Sequence, residues 1–123
     1  MKRLGLFLMI LIINTSRGDS PALEVNKLYL EVYGMCDDCY LRGVNFNNLK
    51  LLPGVKITSM QRTDLTGADL RGLSLIGVDL TDSNLTGVNF AGADLTSAVM
   101  SGTILDHTDF TDTNLRNVWI RKQ

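Results

Sequence analysis

Apolar side chains recur at every fifth position from Val55 to Ile120, and no member of the series is missing. A period of five matches neither an amphipathic helix nor a strand. It predicts a solenoid in which each short segment turns a corner before the next begins. The series is Val55, Met60, Leu65, Leu70, Leu75, Leu80, Leu85, Phe90, Leu95, Met100, Leu105, Phe110, Leu115 and Ile120.

The segment ahead of the repeats has the pattern of a short helix. Ser20 is a candidate N-cap, Pro21 stands at the first helical position, and apolar residues follow at spacings of three and four. Gly34 supplies a stop. We therefore predict a helix from about Pro21 to Tyr33 that covers the N-terminal end of the solenoid. An edge strand is the alternative, because apolar and polar residues also alternate late in this segment.

The five-residue rhythm slips once near its start. It begins with Leu41, Phe46 and Leu51, but the next apolar centre, Val55, follows after four residues instead of five. Pro53-Gly54 lies at the slip. This dipeptide predicts a turn that resets the phase of the repeats.

The residues around each apolar centre have their own preferences. The position before the centre is mostly Asp or Asn, the position two before it is small, and Gly often stands two after it, as in Thr63–Gly67, Ala68–Gly72, Ser83–Gly87 and Val88–Gly92. These units resemble the pentapeptide-repeat family over roughly residues 39–122. The resemblance implies an all-β fold, a right-handed quadrilateral β-helix with one pentapeptide per side and four per coil.

That implied geometry would stack residues that lie 20 positions apart. Leu70, Phe90 and Phe110 would share one side, and Val55 would lie beneath Leu75 on another. We expect every centre from Met60 to Ile120 to fill the core. The glycines two after the centres would turn the corners with positive φ.

The last coil has no capping segment after Ile120 in this sequence. An uncovered coil offers an edge for pairing, so we predict a homodimer through the C-terminal coil with Trp119 at its border. The alternative is that Arg121 and Lys122 keep this edge soluble.

The first residues have the pattern of a secretory signal peptide. A basic start precedes the apolar run Leu4–Ile13, and small and polar residues follow. The run would span roughly 15 Å of a ~30 Å hydrocarbon core, which makes a membrane anchor the weaker alternative. We expect cleavage before Asp19, export to the periplasm or the exterior, and no stable membrane span in the mature form.

The chain of 123 residues is long enough for one domain. We predict a signal peptide at 1–18, a capping helix with the CxxC segment at 19–38, and the repeat β-helix at 39–122. Removing residues 1–18 leaves nine basic and 13 acidic side chains. A mildly acidic mature form argues against nucleic acid as a direct partner.

Cys36 and Cys39 are the one reactive-looking pair in the sequence. In an exported protein they predict a disulfide, and Asp37 and Asp38 between them disfavour a reactive thiolate. Free or intermolecular thiols, and a redox or metal role, are the alternatives. Zinc would need two more ligands, and His107 lies far away at a corner position, where a solvent-exposed turn is expected.

Acidic residues dominate the second half of the repeats, because no basic residue occurs between Arg71 and Arg116. Stacking would place Asp69, Asn89 and Asp109 in one column, and we expect a hydrogen-bonded ladder. The family resemblance also implies an alternative, since some members are acidic β-helices that bind type II topoisomerases in place of DNA. A body only about 17 Å tall and a signal peptide both argue against it.

The sequence contains no catalytic motif, and it indicates no cofactor or metal. We therefore predict a non-catalytic, exported pentapeptide-repeat protein that serves as a structural or protein-binding module for an unknown protein partner. The alternatives are a topoisomerase-binding DNA mimic, if the chain is not exported, and a thiol-exchange protein that uses the CxxC.

Overall fold

The computed structural model describes residues 21–121. The predicted signal peptide at 1–18 and its cleavage site lie outside the described residues. The regular elements are helix α1, Pro21–Tyr33, and a 3₁₀ turn, Phe46–Asn48. Within the described part of the chain, no helix is long and apolar enough to cross a membrane.

Helix α1 has the predicted bounds, so the edge-strand alternative is wrong for this segment. Gly34 ends it with φ +70°, and its N–H donates to the carbonyl oxygen of Leu30 at 2.9 Å. Leu30 is fully buried and Leu23 packs against the core. The helix thereby covers the N-terminal end of the coils.

The remaining described residues form coils joined by isolated parallel bridges. Each bridged residue directly precedes an apolar centre, and successive coils are offset by 20 residues except at the first coil, where the offset is 24. The bridges are single-residue pairs, so residues 21–121 contain no continuous strand. We number the bridge columns one to four, and they run Met35–Ser59–Asp79–Val99–Trp119, Tyr40–Asp64–Asn84–Ile104, Asn45–Asp69–Asn89–Asp109 and Ser74–Asp94–Asn114.

The apolar centres fill a narrow core that ends one coil before the C-terminus. Leu105 and Phe110 are only partly buried, and Leu115 and Ile120 are 42% and 54% exposed, because no further coil stacks on them within the described residues. The fully buried centres are Leu41, Met60, Leu65, Leu70, Leu75, Leu80, Leu85, Phe90, Leu95 and Met100.

The first coil departs from the expected stacking. Val55, expected beneath Leu75, is half-buried and forms no bridge, and Leu51 is 38% exposed. Ile57, at 7% exposure, lies in the core instead. The reason is the longer first coil, whose extra residues lift this part of the chain toward α1, where the Leu52 N–H donates to the Glu31 carbonyl oxygen at 2.8 Å.

The bridged coils also begin earlier than predicted. Met35 already pairs with Ser59, so the first coil starts before the predicted boundary at residue 39 and contains the CxxC. Cys36 is 4% exposed and precedes Met60 in the core behind column one. The cysteines therefore belong to the solenoid rather than to a separate cap segment.

From Met60 to Leu115, corners are made with positive φ at the residue two after each centre. The glycines expected there adopt it, as at Gly67 (φ +70°), and so do residues with side chains, as at Asp82 (φ +59°) and His107 (φ +58°). Asp, Asn and His tolerate this region better than other residues with side chains. The corner is thus a property of the coil and not of glycine alone.

Candidate protein-binding surfaces

The Asp and Asn side chains before the centres close turns within their own repeats. Asp79 Oδ1 accepts from the Thr81 N–H at 3.0 Å, and Asn84 Oδ1 accepts from the Thr86 N–H at 3.1 Å. The hydroxyl of each threonine donates to the same oxygen. Asn performs this role as well as Asp, so the positions require an acceptor and not a charge.

Some of these contacts also lower the pKa of a column carboxyl group. The Thr96 hydroxyl and backbone N–H both donate to Asp94 and hold the pKa of its carboxyl below the usual range. Arg71 does the same for the pKa of Asp69. Both contacts favour the ionised carboxylate, which serves as a hydrogen-bond acceptor within its own repeat.

The acidic residues of the second half do not form a single stripe. Asp79, Asp94 and Asp109 belong to columns one, four and three, while Asp82 and Asp112 lie at corners. No group of His, Cys, Asp and Glu within residues 21–121 has the arrangement of a metal site. The acidic character is thus spread around the solenoid.

Cys36 and Cys39 form a disulfide across the first corner, with their Cα atoms 5.6 Å apart. Asp37 Oδ1 accepts from the Ser59 hydroxyl at 2.6 Å and from the Gln61 N–H at 2.9 Å, which ties this corner to the second coil. The disulfide joins Cys36, at an apolar-centre position, to Cys39, at the small position two before the next centre, Leu41. It thereby cross-links two adjacent sides of the first coil.

Reduction of this disulfide is expected to lower the free energy of unfolding by about 2 kcal/mol, because the closed loop is short and the loop-entropy term is correspondingly small. Urea denaturation followed by circular dichroism, with and without a reductant, measures the change. The double variant Cys36→Ala/Cys39→Ala is the control and should not respond to reductant. An equal response of both proteins would contradict a disulfide in the wild type.

His107 lies where the sequence predicts, at an exposed corner with positive φ. It is remote in the chain from the CxxC and belongs to no metal-like cluster among the described residues. Its backbone forms the turn at this corner.

The C-terminal coil presents the largest set of uncovered core positions. We define the C-terminal coil surface as Leu105, Phe110, Leu115, Trp119 and Ile120; Trp119 is 61% exposed. The backbone N–H groups of the three centres Leu105, Phe110 and Leu115 have no backbone acceptor among the described residues. One coil earlier, the equivalent N–H groups all donate to carbonyl oxygens of the next coil. The Leu85 N–H donates to Ile104 O (2.9 Å), the Phe90 N–H to Asp109 O (2.8 Å) and the Leu95 N–H to Asn114 O (2.8 Å).

A second exposed patch lies at the N-terminal end and was not anticipated from the repeat pattern. Tyr29 and Tyr33 on α1 are 44% and 45% exposed with ring centroids 5.5 Å apart, and Met35 at 46% lies beside Tyr29. The spacing of four residues between Tyr29 and Tyr33 was the available signal, because it places both rings on the same face of a helix.

Comparison with protein families finds the family described as pentapeptide repeats. Its model matches residues 58–87 and 83–118 with eight copies of the repeat. No curated protein sequence matches this chain. The matched residues include every fully buried centre except Leu41.

Solved structures with the same type of coil include two cyanobacterial pentapeptide-repeat proteins. Rfr23 from Cyanothece 51142 is 22% identical, with 81% of this chain and 96% of that chain covered and a TM-score of 0.54. HetL from Nostoc sp. strain PCC 7120, described as involved in heterocyst differentiation regulation, is 19% identical, with 68% and 48% covered and a TM-score of 0.44. This chain spans about half the length of HetL.

Proposed function

This chain belongs to the pentapeptide-repeat family, and we propose that it is a non-catalytic protein-binding module that acts outside the cytoplasm. Pentapeptide-repeat proteins are in general structural or binding proteins rather than enzymes. We further propose that the coils form the right-handed quadrilateral β-helix of this family. Four bridge columns at five-residue steps support that geometry.

A binding role is supported by what the polar side chains already do. The aspartates and threonines before and after the centres bond to each other and to backbone, as at Asp94 and Thr96, which leaves few polar groups for catalysis. The observation that carries the proposal is the C-terminal coil surface, where core side chains and backbone donors are uncovered together. Surfaces of this kind are typical of association sites.

Export is supported by the sequence pattern of residues 1–18 and by the disulfide, because disulfides persist in oxidising compartments. The test is the intact mass of the protein recovered from each cell fraction of its host, with and without reduction and alkylation. A species that begins near Asp19 and gains mass only after reduction supports export. Full-length cytosolic protein with two free thiols would contradict it and favour the topoisomerase-binding alternative.

We propose that a second copy binds at the C-terminal coil surface. Helix α1 covers the other end of the solenoid, so copies cannot stack head to tail. The C-terminal coil surfaces of two copies can pack against each other about a two-fold axis. This arrangement brings the apolar centres of the two copies into contact and pairs their free backbone groups in a closed, isologous dimer.

The dimer gives a direct prediction. Light scattering at micromolar concentration is expected to report twice the protomer mass, and Leu115→Asp is expected to weaken association by at least about tenfold, because it places a charge among buried apolar contacts. Leu52→Asp is the control, since Leu52 is 50% exposed but lies beside α1. A wild-type monomer at this concentration would refute the dimer.

A further inference from the structure

On the side of column four, the first coil contributes no bridged residue. The column starts at Ser74, which pairs with Asp94 of the next coil, whereas the other three columns start one coil earlier. Among the described residues, the N–H and C=O of Ser74 and the C=O of Ile76 have no backbone partner. Both residues are exposed. A strand edge is therefore open inside the body of the solenoid.

Column two shows which bonds are missing from this edge. There the first coil pairs fully with the second through two donated N–H groups and one accepted N–H group. These bonds run from the Leu41 N–H to Asp64 O (2.8 Å), from the Gly43 N–H to Thr66 O (2.9 Å) and from the Asp64 N–H to Cys39 O (3.0 Å). An extended segment that runs parallel to residues 73–76 would make the same three bonds with column four.

An apolar groove of about 420 Å³ lies along the open edge. The groove exists because the chain between Leu51 and Ile57 is held near the end of α1, where the Leu52 N–H bonds to Glu31 and the Thr58 N–H donates to the Gly34 carbonyl oxygen at 2.7 Å. The groove is lined by Leu51, Val55, Lys56, Ile57, Leu73, Ser74 and Ile76, and we call it the vacant side.

Lys56 gives the vacant side its charge. It is the one ionisable residue that lines the groove, it is exposed, and it forms no ion pair with another described residue. Beyond Arg71, no lysine or arginine occurs before Arg116, and six aspartates lie in this stretch. A partner segment with a carboxylate would therefore be attracted to this groove more than to the sides of the later coils.

We propose that the vacant side binds an extended segment of a partner protein in which an aliphatic side chain follows an acidic one. The segment adds the missing bridge to column four, and its carboxylate pairs with Lys56. Its aliphatic side chain lies level with Leu75 and packs against Val55 and Ile57, and the residue after it lies level with Ile76. The inference rests on the proposed binding function and names the chemistry of the partner.

A free segment fits this groove better than a second folded copy. The open edge is one pentapeptide long and lies between the second coil and residues 51–57 of the first coil. A second solenoid would have to present an edge that is recessed in the same way, so the two edges could not approach to bonding distance.

The probe is a fluorescein-labelled hexapeptide, Ala-Asp-Leu-Thr-Ser-Ala, which is the sequence of residues 93–98. Fluorescence anisotropy is expected to show saturable binding below about 1 mM, and hydrogen exchange of the Ser74 amide is expected to slow at least about fivefold at saturation. The second readout places the peptide at the open edge, because the Ser74 N–H has no backbone acceptor among residues 21–121.

Two variants test the two parts of the site. Ile76→Lys, at a position 58% exposed, is expected to weaken binding at least about tenfold, while the matched control Ile104→Lys, at 48%, changes it less than about twofold. A peptide with Asn in place of Asp should bind about threefold more weakly at low salt, and Lys56→Gln should abolish that difference. Circular dichroism verifies the fold of each variant.

Three results would overturn the inference. They are no saturable binding at 1 mM, equal loss of binding in Ile76→Lys and Ile104→Lys, and protection of the Ser74 amide that increases with protein concentration in the absence of peptide. The third result would assign the vacant side to a second copy. Light scattering of the Leu115→Asp variant tests the C-terminal dimer separately, so failure of the peptide leaves that proposal standing.

Discussion

Gly34→Ala is expected to lower the free energy of unfolding by about 3 kcal/mol or more, which is a large part of the stability of a small domain. Gly34 has φ +70°, where a side chain is strained, and a Cβ there would overlap the carbonyl oxygen of Lys56. That oxygen belongs to backbone held by the Thr58 N–H bond to Gly34, so it cannot move aside cheaply. Urea denaturation followed by circular dichroism measures the loss.

Gly43→Ala is the matched control for this change. Gly43 has φ +68°, but a Cβ there would meet no atom within 4 Å. Only the backbone strain remains, so we expect a loss of about 1 kcal/mol. Equal losses at the two positions would show that the contact between α1 and the first coil does not determine the stability of this junction.

Phe90→Ala is expected to cost about 4 kcal/mol, because it removes a large side chain from the middle of a close-packed core. Phe90 is fully buried, and its ring stacks on Phe110 with centroids 5.5 Å apart and planes 8° apart. The coils above and below are fixed by their bridges, so the cavity can close only slightly. The midpoint of thermal or urea unfolding gives the measurement.

Phe110→Ala tests the same column one coil later. Phe110 is only partly buried, because no further coil stacks on it within the described residues, so we expect roughly half the loss found at Phe90 at protein concentrations too low for the proposed dimer to form. If Phe90→Ala does not fold, Phe90→Leu retains most of the volume and should lose about 1 kcal/mol. A loss at Phe110 as large as at Phe90 would indicate that the C-terminal coil surface is buried in solution, as the proposed dimer requires.

The repeating part of this fold could be predicted from the sequence because its determinants are local. Each pentapeptide carries its own apolar centre, small residue and turn-closing Asp or Asn, and each coil packs only against its neighbours. The expected column of Asp69, Asn89 and Asp109 is therefore present, but the expected ladder is wrong, because each of these side chains bonds within its own repeat. Helix α1 was predictable for the same reason, since Pro21 and Gly34 mark its limits.

Some local expectations were too narrow. Ser74, Val99 and Ile104 lack the Asp or Asn that usually stands before a centre, yet all three form bridges. Asp82 and His107 adopt the positive φ expected for glycine. Bonds to the coils above and below impose this geometry on whichever residue occupies the position. The place of a residue within the five-residue repeat therefore predicts its backbone conformation better than its residue type does.

The sequence by itself determined the solenoid, its phase, the capping helix and the centres buried from Met60 to Met100, whereas Leu115 and Ile120, also expected in the core, are exposed. Only the tertiary structure decided how the first coil closes. The slip near Pro53 predicted a reset of phase, but the bonds of Leu52 to Glu31 and of Thr58 to Gly34 direct this segment toward α1, so Ile57 enters the core in place of Val55. The physical reason is that periodicity specifies contacts between neighbouring repeats, whereas the path of a longer connection depends on partners distant in sequence.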